Sequence, residues 1–297
     1  MTRIILTLII LFSQVAIADE PIQLRVTVEG HEFALWHRPV EASIGTILLL
    51  HGRTYSSLPD FDLHVSGENL SFMKGLNEKG FEVYALDARG YGATERDSSG
   101  WLTPNIAAKD AIGIIKWINQ RHGTKLNLFG WSYGSMISQI VAQREPALIN
   151  SLLLFGYPFD PERHISKSDA QESTIEAPRL KNSRRHAASD FITPGSISQN
   201  AIDAYVNASL KADPVRVDFK HLEQWAELDA KKVSTPTLLM QGEFDPLAKT
   251  ELQIAFFQNI NTSNKWWIFL NGGDHAALLE QPREKMLTLM QTFINSL

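Results

Sequence analysis

Short apolar runs alternate with longer amphipathic stretches along most of the chain. The apolar runs predict strands at residues 46–50, 81–86, 126–129, 151–155, 237–241 and 265–270. Apolar positions at helical spacing predict helices at residues 70–79, 104–121, 132–144, 247–260 and 276–297, the last interrupted near Pro282. Strands separated by helices of this length are typical of βαβ units. The pattern therefore predicts an α/β fold with a mainly parallel sheet and, because such crossovers are right-handed, helices on both faces.

Two stretches depart from this rhythm. Residues 22–28 and 33–37 alternate around Glu29-Gly30, which predicts a hairpin and brings the sheet to eight strands. From about residue 158 to 234 the chain is polar, and helical spacing recurs only at residues 196–211 and 218–231. Because both ends of this segment fall at sheet strands, we interpret residues 159–234 as a helical cap inserted into a core of residues 19–158 and 235–297. An independent second domain is the alternative.

Residues 1–18 have the features of an export signal. Arg3 supplies the positive end, residues 4–12 are apolar except for Thr7, and Ala16-Ile17-Ala18 is a small-x-small cleavage signal. The apolar run is shorter than the roughly 20 residues of a spanning helix. We therefore expect a mature chain that begins at Asp19, is secreted or periplasmic, and has no stable membrane insertion after signal removal.

Composition narrows the classes of function. The chain has 297 residues, a net charge of −5 and no cysteine. Disulfides and thiol catalysis are therefore excluded. The net acidity argues against nucleic acid as a partner, because phosphate-binding surfaces are basic. No motif implies a metal or an organic cofactor, so we expect chemistry carried out by side chains on a small molecule.

The loops after the strands hold the candidate chemistry, because ligands in parallel sheets bind beyond the carboxyl ends of the strands. Residues 130–134 read Gly-Trp-Ser-Tyr-Gly between a predicted strand and a predicted helix. This is the context of a nucleophile elbow, with Ser132 exposed on a sharp turn. Ser135 and Ser138 are rivals, but both fall within the helix. A tight turn without function is the alternative interpretation.

A serine nucleophile needs a base and an acid that orients the base. Of the nine histidines, only His275 follows the last sheet strand and completes the order Ser, acid, His. Asp245, after the strand at 237–241, is the preferred acid. Asp160 occurs in a second Phe-Asp-Pro after a strand and is the alternative. Asp274 is adjacent to the histidine, where direct pairing of the side chains is geometrically poor.

The oxyanion of an acyl-transfer reaction needs preorganised N–H donors. We expect the backbone N–H of Tyr133, after the nucleophile, and that of Arg53, in the loop after the strand at 46–50, to supply them. His51 in the same loop is interpreted as a support for this turn rather than as a second base.

The motifs together resemble the α/β-hydrolase superfamily, over the whole mature chain except the cap. They are His51-Gly52, Asp87-x-Arg89-Gly90-x-Gly92, Gly130-x-Ser132-x-Gly134, Phe244-Asp245-Pro246 and Gly273-Asp274-His275. The resemblance implies an eight-stranded α/β-hydrolase core, a triad of Ser132, Asp245 and His275, and an oxyanion hole at Arg53 and Tyr133.

Two residues depart from the family pattern. Most members have a small or apolar residue at the position of Arg53. Its guanidinium would either bind a substrate carboxylate or carbonyl or, as we prefer at this point, form a salt bridge with Asp60 or Asp62. Trp131, before the nucleophile, is bulky and is expected to pack into the sheet.

We therefore expect an exported serine esterase or lactonase. Arg53, Trp131 and Tyr157 are candidate substrate contacts, whereas the other aromatic residues of the cap are interpreted as its core. A proline-iminopeptidase-like aminopeptidase or amidase is one alternative, with Glu223 and Glu227 as candidate partners of a free amine. A binding protein that retains the fold is another, although it would not need a complete triad.

Overall fold

The computed structural model describes residues 20–165 and 176–297. The predicted export signal lies outside the described residues. The strands are β1 (Ile22–Val28), β2 (His31–Arg38), β3 (Gly45–Leu50), β4 (Phe81–Leu86), β5 (Trp101–Leu102), β6 (Leu126–Trp131), β7 (Ile149–Phe155), β8 (Asp218–Phe219), β9 (Thr237–Gly242) and β10 (Lys265–Leu270). The helices are α1 (Ser57–Phe61), α2 (Phe72–Glu78), α3 (Pro104–His122), α4 (Tyr133–Arg144), α5 (Pro161–His164), α6 (Arg184–Ala188), α7 (Gln199–Ala212), α8 (Thr250–Asn259) and α9 (Arg283–Asn295).

Eight strands form one sheet in the order β1-β2-β4-β3-β6-β7-β9-β10. Strand β2 is antiparallel to both of its neighbours, and every other pair in the sheet is parallel. The predicted mainly parallel sheet of eight strands, opened by a hairpin, is therefore confirmed. The carboxyl ends of β3, β6, β7, β9 and β10 meet at one edge, and the loops that follow them carry the candidate site residues.

The sheet has a hydrophobic core on each face. Alternate residues of a central strand point to opposite sides, so Leu128 belongs to one core and Phe129 to the other. Helices α3 and α4 cover the first face, and α2 and α9 cover the second. Burial on both faces explains why the parallel strands are continuous apolar runs in the sequence.

The segment between β7 and β9 is less helical than its spacing predicts. The expected helix at 196–211 is present as α7, and its N-cap Ser198 accepts from the backbone N–H of Ala201 at 3.0 Å. The helix predicted at 218–231 is wrong. Residues 218–219 pair with β5 as strand β8, and His221 follows with a positive φ of 55°, which ends any helical path. Two short 3₁₀ segments, Leu222–Glu227 and Ala230–Lys232, come next.

The last helix begins later than predicted. Residues 276–282 form turns, and the Asp274 carboxylate accepts from the backbone N–H of Ala276 at 2.9 Å. Helix α9 then starts at Arg283, directly after Pro282. Within residues 20–165 and 176–297, no helix is long and apolar enough to cross a membrane.

Candidate active site

Ser132 lies on a strained turn between β6 and α4. Its backbone has φ 54° and ψ −119°, a conformation that non-glycine residues rarely adopt. The turn is held because the Ser132 N–H donates to the carbonyl of Phe155 at 3.0 Å. The strain keeps the side chain at the carboxyl edge of the sheet, beside the N-terminus of α4, where the helix dipole favours negative charge.

The glycines around the serine are sterically required. A Cβ on Gly134 would fall on the backbone carbonyl of Leu50, and a Cβ on Gly130 would fall on the backbone carbonyl of Gly134. Strand β6, helix α4 and the end of β3 are therefore in closer contact than any other residue allows. The spacing of the motif is a packing requirement for presenting Ser132.

The hydroxyl groups of the two rival serines in α4 are hydrogen-bonded to backbone carbonyls. Ser135 and Ser138 are fully buried. The Ser135 hydroxyl donates to the carbonyl of Ser132, and the Ser138 hydroxyl donates to the carbonyl of Gly134 at 2.8 Å. Neither hydroxyl reaches the histidine that follows β10.

His275 faces Ser132 from the loop after β10. Its Nε2 lies 2.8 Å from Ser132 Oγ, and its Nδ1 lies 2.8 Å from Asp245 Oδ2. Because Asp245 as a carboxylate only accepts, Nδ1 carries the proton and Nε2 is left to accept from the serine hydroxyl. The backbone carbonyl of His275 accepts from the Trp131 indole N–H at 2.7 Å, so the residue before the serine holds the histidine loop.

Asp245 is held by the chain that follows it. Its Oδ1 accepts from the backbone N–H groups of Leu247 at 2.8 Å and Ala248 at 3.1 Å. Burial alone would raise the pKa of this carboxyl, but the charge and hydrogen bond of His275, with these two N–H donors, keep its pKa below the ordinary value. Asp245 is therefore ionised at neutral pH and keeps His275 in the required tautomer.

The alternative acid, Asp160, does not reach His275. Its Oδ2 pairs with Lys249 Nζ at 2.7 Å, and its Oδ1 accepts from the backbone N–H of Glu162 at 3.1 Å. Asp160 caps α5 instead. Asp274 also points away, since its carboxylate accepts from the backbone N–H groups of Ile192 and Thr193 at 2.9 and 2.6 Å.

The loop after β3 closes over the serine from the other side. A Cβ on Gly52 would lie 3.5 Å from the Ser132 Cβ, so the Gly52–Arg53 backbone abuts the serine. The Tyr133 N–H is the first of α4 and has no carbonyl partner within its helix. His51 donates from Nδ1 to the Gly52 carbonyl at 2.8 Å and accepts at Nε2 from the Ala88 N–H at 3.1 Å, so it supports this loop as expected. Burial lowers the pKa of His51, which keeps it neutral.

A cavity of about 550 Å³ opens above Ser132. This size lies within the range of ordinary small-molecule sites, about 300–1,000 Å³. Its lining combines the turn at Ser132, the loops after β3, β9 and β10, and the segment between β7 and β9. The lining residues are Gly52, Arg53, Thr54, Trp131, Ser132, Tyr133, Met136, Pro158, Arg163, His164, His186, Asp190, Phe219, Leu222, Trp225, Leu247 and His275. Within the described residues, no group of His, Asp and Glu side chains is arranged to hold a metal ion.

Residues 43–282 match the sequence model of an α/β-hydrolase family whose description is serine aminopeptidase, S33. This chain belongs to that family. It is 33% identical over 208 residues to the human serine hydrolase BPHL, a match that covers 68% of this chain and spans only 63% of the human protein's length. The probable aminopeptidase YbaC of Bacillus subtilis is 22% identical over 246 residues, covering 69% of this chain and 77% of YbaC.

Solved structures show the same fold. A serine hydrolase involved in carbazole degradation superposes with a TM-score of 0.66 at 18% identity, covering 93% of this chain and all of that one. At this identity the likeness concerns the fold alone.

The prediction that Arg53 forms a salt bridge with Asp60 or Asp62 is wrong. Asp62 pairs with Arg38 at 3.0 Å, and Asp60 accepts from the Tyr205 hydroxyl at 3.0 Å. The Arg53 side chain is exposed in the cavity instead, with its guanidinium 4.6 Å from the centre of the Phe219 ring. The two carboxylates that are near Arg53 in the sequence are thus buried and paired with residues from other segments.

Tyr157 does not line the cavity, which corrects its assignment as a substrate contact. Its side chain is 2% exposed, and its hydroxyl donates to the Gln139 side chain. Trp131, by contrast, lines the cavity and also packs against His275, with ring centres 5.8 Å apart. Of the aromatic residues interpreted as cap core, Trp225 also lines the cavity.

Sequence reasoning missed several residues of the cavity wall. Asp190, His164, His186 and Phe219 all come from the segment between β7 and β9, where no motif or periodicity marks them. Glu223 and Glu227, the acids proposed for an amine, are not among the lining residues, and Glu227 pairs with Arg144. The acid that does face the cavity is Asp190.

Proposed function

We propose that this serine hydrolase cleaves a carboxylic ester or lactone through an acyl-enzyme on Ser132. The observation that carries the proposal is the chain of two 2.8 Å hydrogen bonds from Ser132 through His275 to Asp245, at the floor of an open cavity. A serine hydroxyl is a weak nucleophile without such a base.

The geometry supports a complete acyl-transfer cycle. Ser132 Oγ attacks the carbonyl carbon while its proton moves to His275 Nε2, and the carbonyl oxygen becomes an oxyanion held by the N–H groups of Arg53 and Tyr133. Collapse of this intermediate breaks the bond to the leaving oxygen, which takes the proton from His275. Water then attacks the acyl-enzyme, with His275 again as the base, and the acid leaves with Ser132 restored. Asp245 holds the imidazole and stabilises its charged form.

Hydrolysis of nitrophenyl esters of short and medium acids tests this proposal. The mature protein from Asp19 should turn them over, and Ser132→Ala should reduce the rate to the uncatalysed level. The matched control is Ser138→Ala, since that hydroxyl is bound to the carbonyl of Gly134. Equal, near-background rates in the wild type and in Ser132→Ala would contradict the proposal.

An aminopeptidase or amidase activity is the second candidate, and one observation favours it. Asp190 lines the same cavity as Ser132 and His275. Such a carboxylate could accept a substrate ammonium. Faster cleavage of aminoacyl nitroanilides with a free amine than of the N-acetylated compounds, reversed in Asp190→Asn, would support this activity. Preference for esters would reject it.

We also propose that the protein is exported to the periplasm or the medium. The proposal rests on Arg3, the apolar run at 4–12 and the Ala16-Ile17-Ala18 signal. N-terminal sequencing of the protein recovered outside the cytoplasm should begin at Asp19. Recovery of the uncleaved chain from the cytoplasm alone would contradict export.

A further inference from the structure

The cavity of this hydrolase holds more positive than negative charge. Arg53 and Arg163 line it, whereas Asp190 is the single carboxylate among the described lining residues. Burial lowers the pKa of both His164 and His186, and the nearby arginine charges lower it further, so these two imidazoles stay neutral. A cavity with this balance favours an anionic ligand.

Arg53 is the cation placed closest to the reaction. Its backbone belongs to the loop that abuts Ser132, and its guanidinium lies over the Phe219 ring at 4.6 Å. The ring covers one face of the guanidinium, while the N–H groups around its edge remain able to donate. Within residues 20–165 and 176–297, no carboxylate forms an ion pair with it. A planar guanidinium of this kind is suited to a carboxylate.

A second donor lies on the same aromatic platform. The Tyr133 ring packs edge-on against Phe219, with centres 4.9 Å apart, and Tyr133 lines the cavity. Its hydroxyl is buried and has no hydrogen-bond partner in the described part of the chain. A buried hydroxyl without a partner costs free energy unless a ligand satisfies it. Tyr133 and Arg53 thus both pack against the Phe219 ring. Among the described residues, neither the Tyr133 hydroxyl nor the Arg53 guanidinium has an acceptor.

Part of the cavity wall is apolar and suits a hydrocarbon chain. The apolar side chains of Met136, Leu222, Trp225 and Leu247 line the same cavity as these donors and the triad. On the basis of the proposed ester hydrolysis, we propose that the substrate carries a carboxylate besides its scissile ester, and that the Arg53 guanidinium binds this carboxylate, with the Tyr133 hydroxyl as a second donor. The substrate class is then the monoester of a dicarboxylic acid.

Two esters that differ only in this charge test the proposal. They are 4-nitrophenyl hydrogen adipate, which is anionic, and 4-nitrophenyl methyl adipate, which is neutral. The wild type should prefer the anionic ester in kcat/KM by about 10- to 100-fold, the range of a charged hydrogen bond. Arg53→Met keeps an apolar stem over Phe219 and should bring the ratio of the two kcat/KM values close to one. Tyr133→Phe should lower the ratio by a smaller factor.

The control is Arg121→Met, because Arg121 also lies over an aromatic ring, 5.6 Å from the centre of Trp117, but outside the cavity. This variant should keep the full preference. The ratio separates charge recognition from damage to the oxyanion loop, since such damage would slow both esters alike. A wild-type ratio near one, or a preference that survives Arg53→Met, would overturn the proposal.

Binding to the Ser132→Ala protein separates this inference from the proposed function. The same two esters, titrated by calorimetry, should again differ by about tenfold or more in Kd, and the difference should vanish when Arg53→Met is added. Equal binding, or no binding of either ester, would overturn the carboxylate site. If the binding preference is present but the wild type fails to turn over either ester, the carboxylate site stands and the esterase proposal fails.

Discussion

The indole N–H of Trp131 donates to the backbone carbonyl of His275 at 2.7 Å. The residue before Ser132 therefore positions the loop that carries His275. Two segments far apart in the chain, the end of β6 and the loop after β10, are joined by one buried hydrogen bond. Ser132 and His275 consequently keep their spacing through a contact that neither side chain makes itself.

Replacing Trp131 with Phe should loosen this link. The indole N–H is lost, and the buried carbonyl of His275 is left without its donor. A small displacement of a catalytic base is costly, so we expect kcat to fall about 10- to 100-fold with the protein still folded. Steady-state kinetics measure kcat, and a thermal melt shows whether the variant is folded. Trp117→Phe, away from the cavity, is the control, and a kcat within twofold of the wild type would show that the hydrogen bond does not position His275.

Asp245 and Asp160 can be told apart by one matched pair of variants. Asp245→Asn should lower kcat by about 10⁴-fold, because the amide no longer holds the His275 tautomer with its proton on Nδ1. Asp160→Asn should leave kcat near the wild-type value, since Asp160 pairs with Lys249. Ester kinetics at pH 7 decide the matter. A large loss in Asp160→Asn and a small one in Asp245→Asn would reverse the assignment of the acid.

A single methyl group on Gly134 should destabilise the protein at the turn that carries Ser132. Its Cβ would overlap the backbone carbonyl of Leu50, and backbone cannot move aside as a side chain can. We expect Gly134→Ala to lower the free energy of unfolding by about 3 kcal/mol or more. In Gly45→Ala the new Cβ would lie 3.6 Å from the Asn127 side chain, an ordinary contact. Urea denaturation compares the two, and equal stability would show that the close approach at Gly134 is not needed.

Asp190 should make the stability of the protein depend on pH. Burial raises the pKa of this carboxyl from 3.8 to about 6, against the lowering effect of His275. The Tyr205 hydroxyl lies 3.0 Å from Asp60 and 3.3 Å from Asp190, and its single proton can be donated to only one of the two carboxyls at a time. The native state then holds the Asp190 proton more tightly than the unfolded chain does.

The sign of the effect follows from this difference. The stabilisation contributed by the Asp190 proton is fully present below about pH 4, is lost as the pH rises through about 6, and is absent well above that. Asp213 and Glu280 have pKa values raised by burial to about 6 and about 7, so they add to the same decline. Urea midpoints from pH 4.5 to 7.5 should therefore decline less in Asp190→Asn than in the wild type. Parallel curves for the two proteins would contradict the raised pKa.

The parts of the site that are local in sequence could be predicted from it. The turn at Ser132 is encoded by five consecutive residues between two periodic patterns. The strands are continuous apolar runs because both faces of the sheet are buried. His275 could be chosen among nine histidines because chain order places it after the last strand.

The parts that depend on distant partners could not. The two acids expected to pair with Arg53 have other partners: Asp62 forms an ion pair with Arg38, and Asp60 accepts a hydrogen bond from Tyr205. Arg53 therefore faces the cavity, where its guanidinium lies over the Phe219 ring. None of these pairings can be predicted from the local sequence pattern, because the partners are distant in the sequence. Residues 218–231 have helical spacing, yet residues 218–219 form a strand because β5 lies beside them. At residues 218–219 a tertiary contact overrides the local helical propensity.

Covalent labelling with an organophosphorus probe tests the central claim, that Ser132 is the nucleophile and His275 its base, most directly. Intact-protein and peptide mass spectrometry should find one adduct per chain, on Ser132. The rate of labelling should fall by about 10³-fold or more in a folded His275→Ala variant, because the serine loses its base. Labelling on Ser135, Ser138 or no serine, or an equal rate in His275→Ala, would contradict the account.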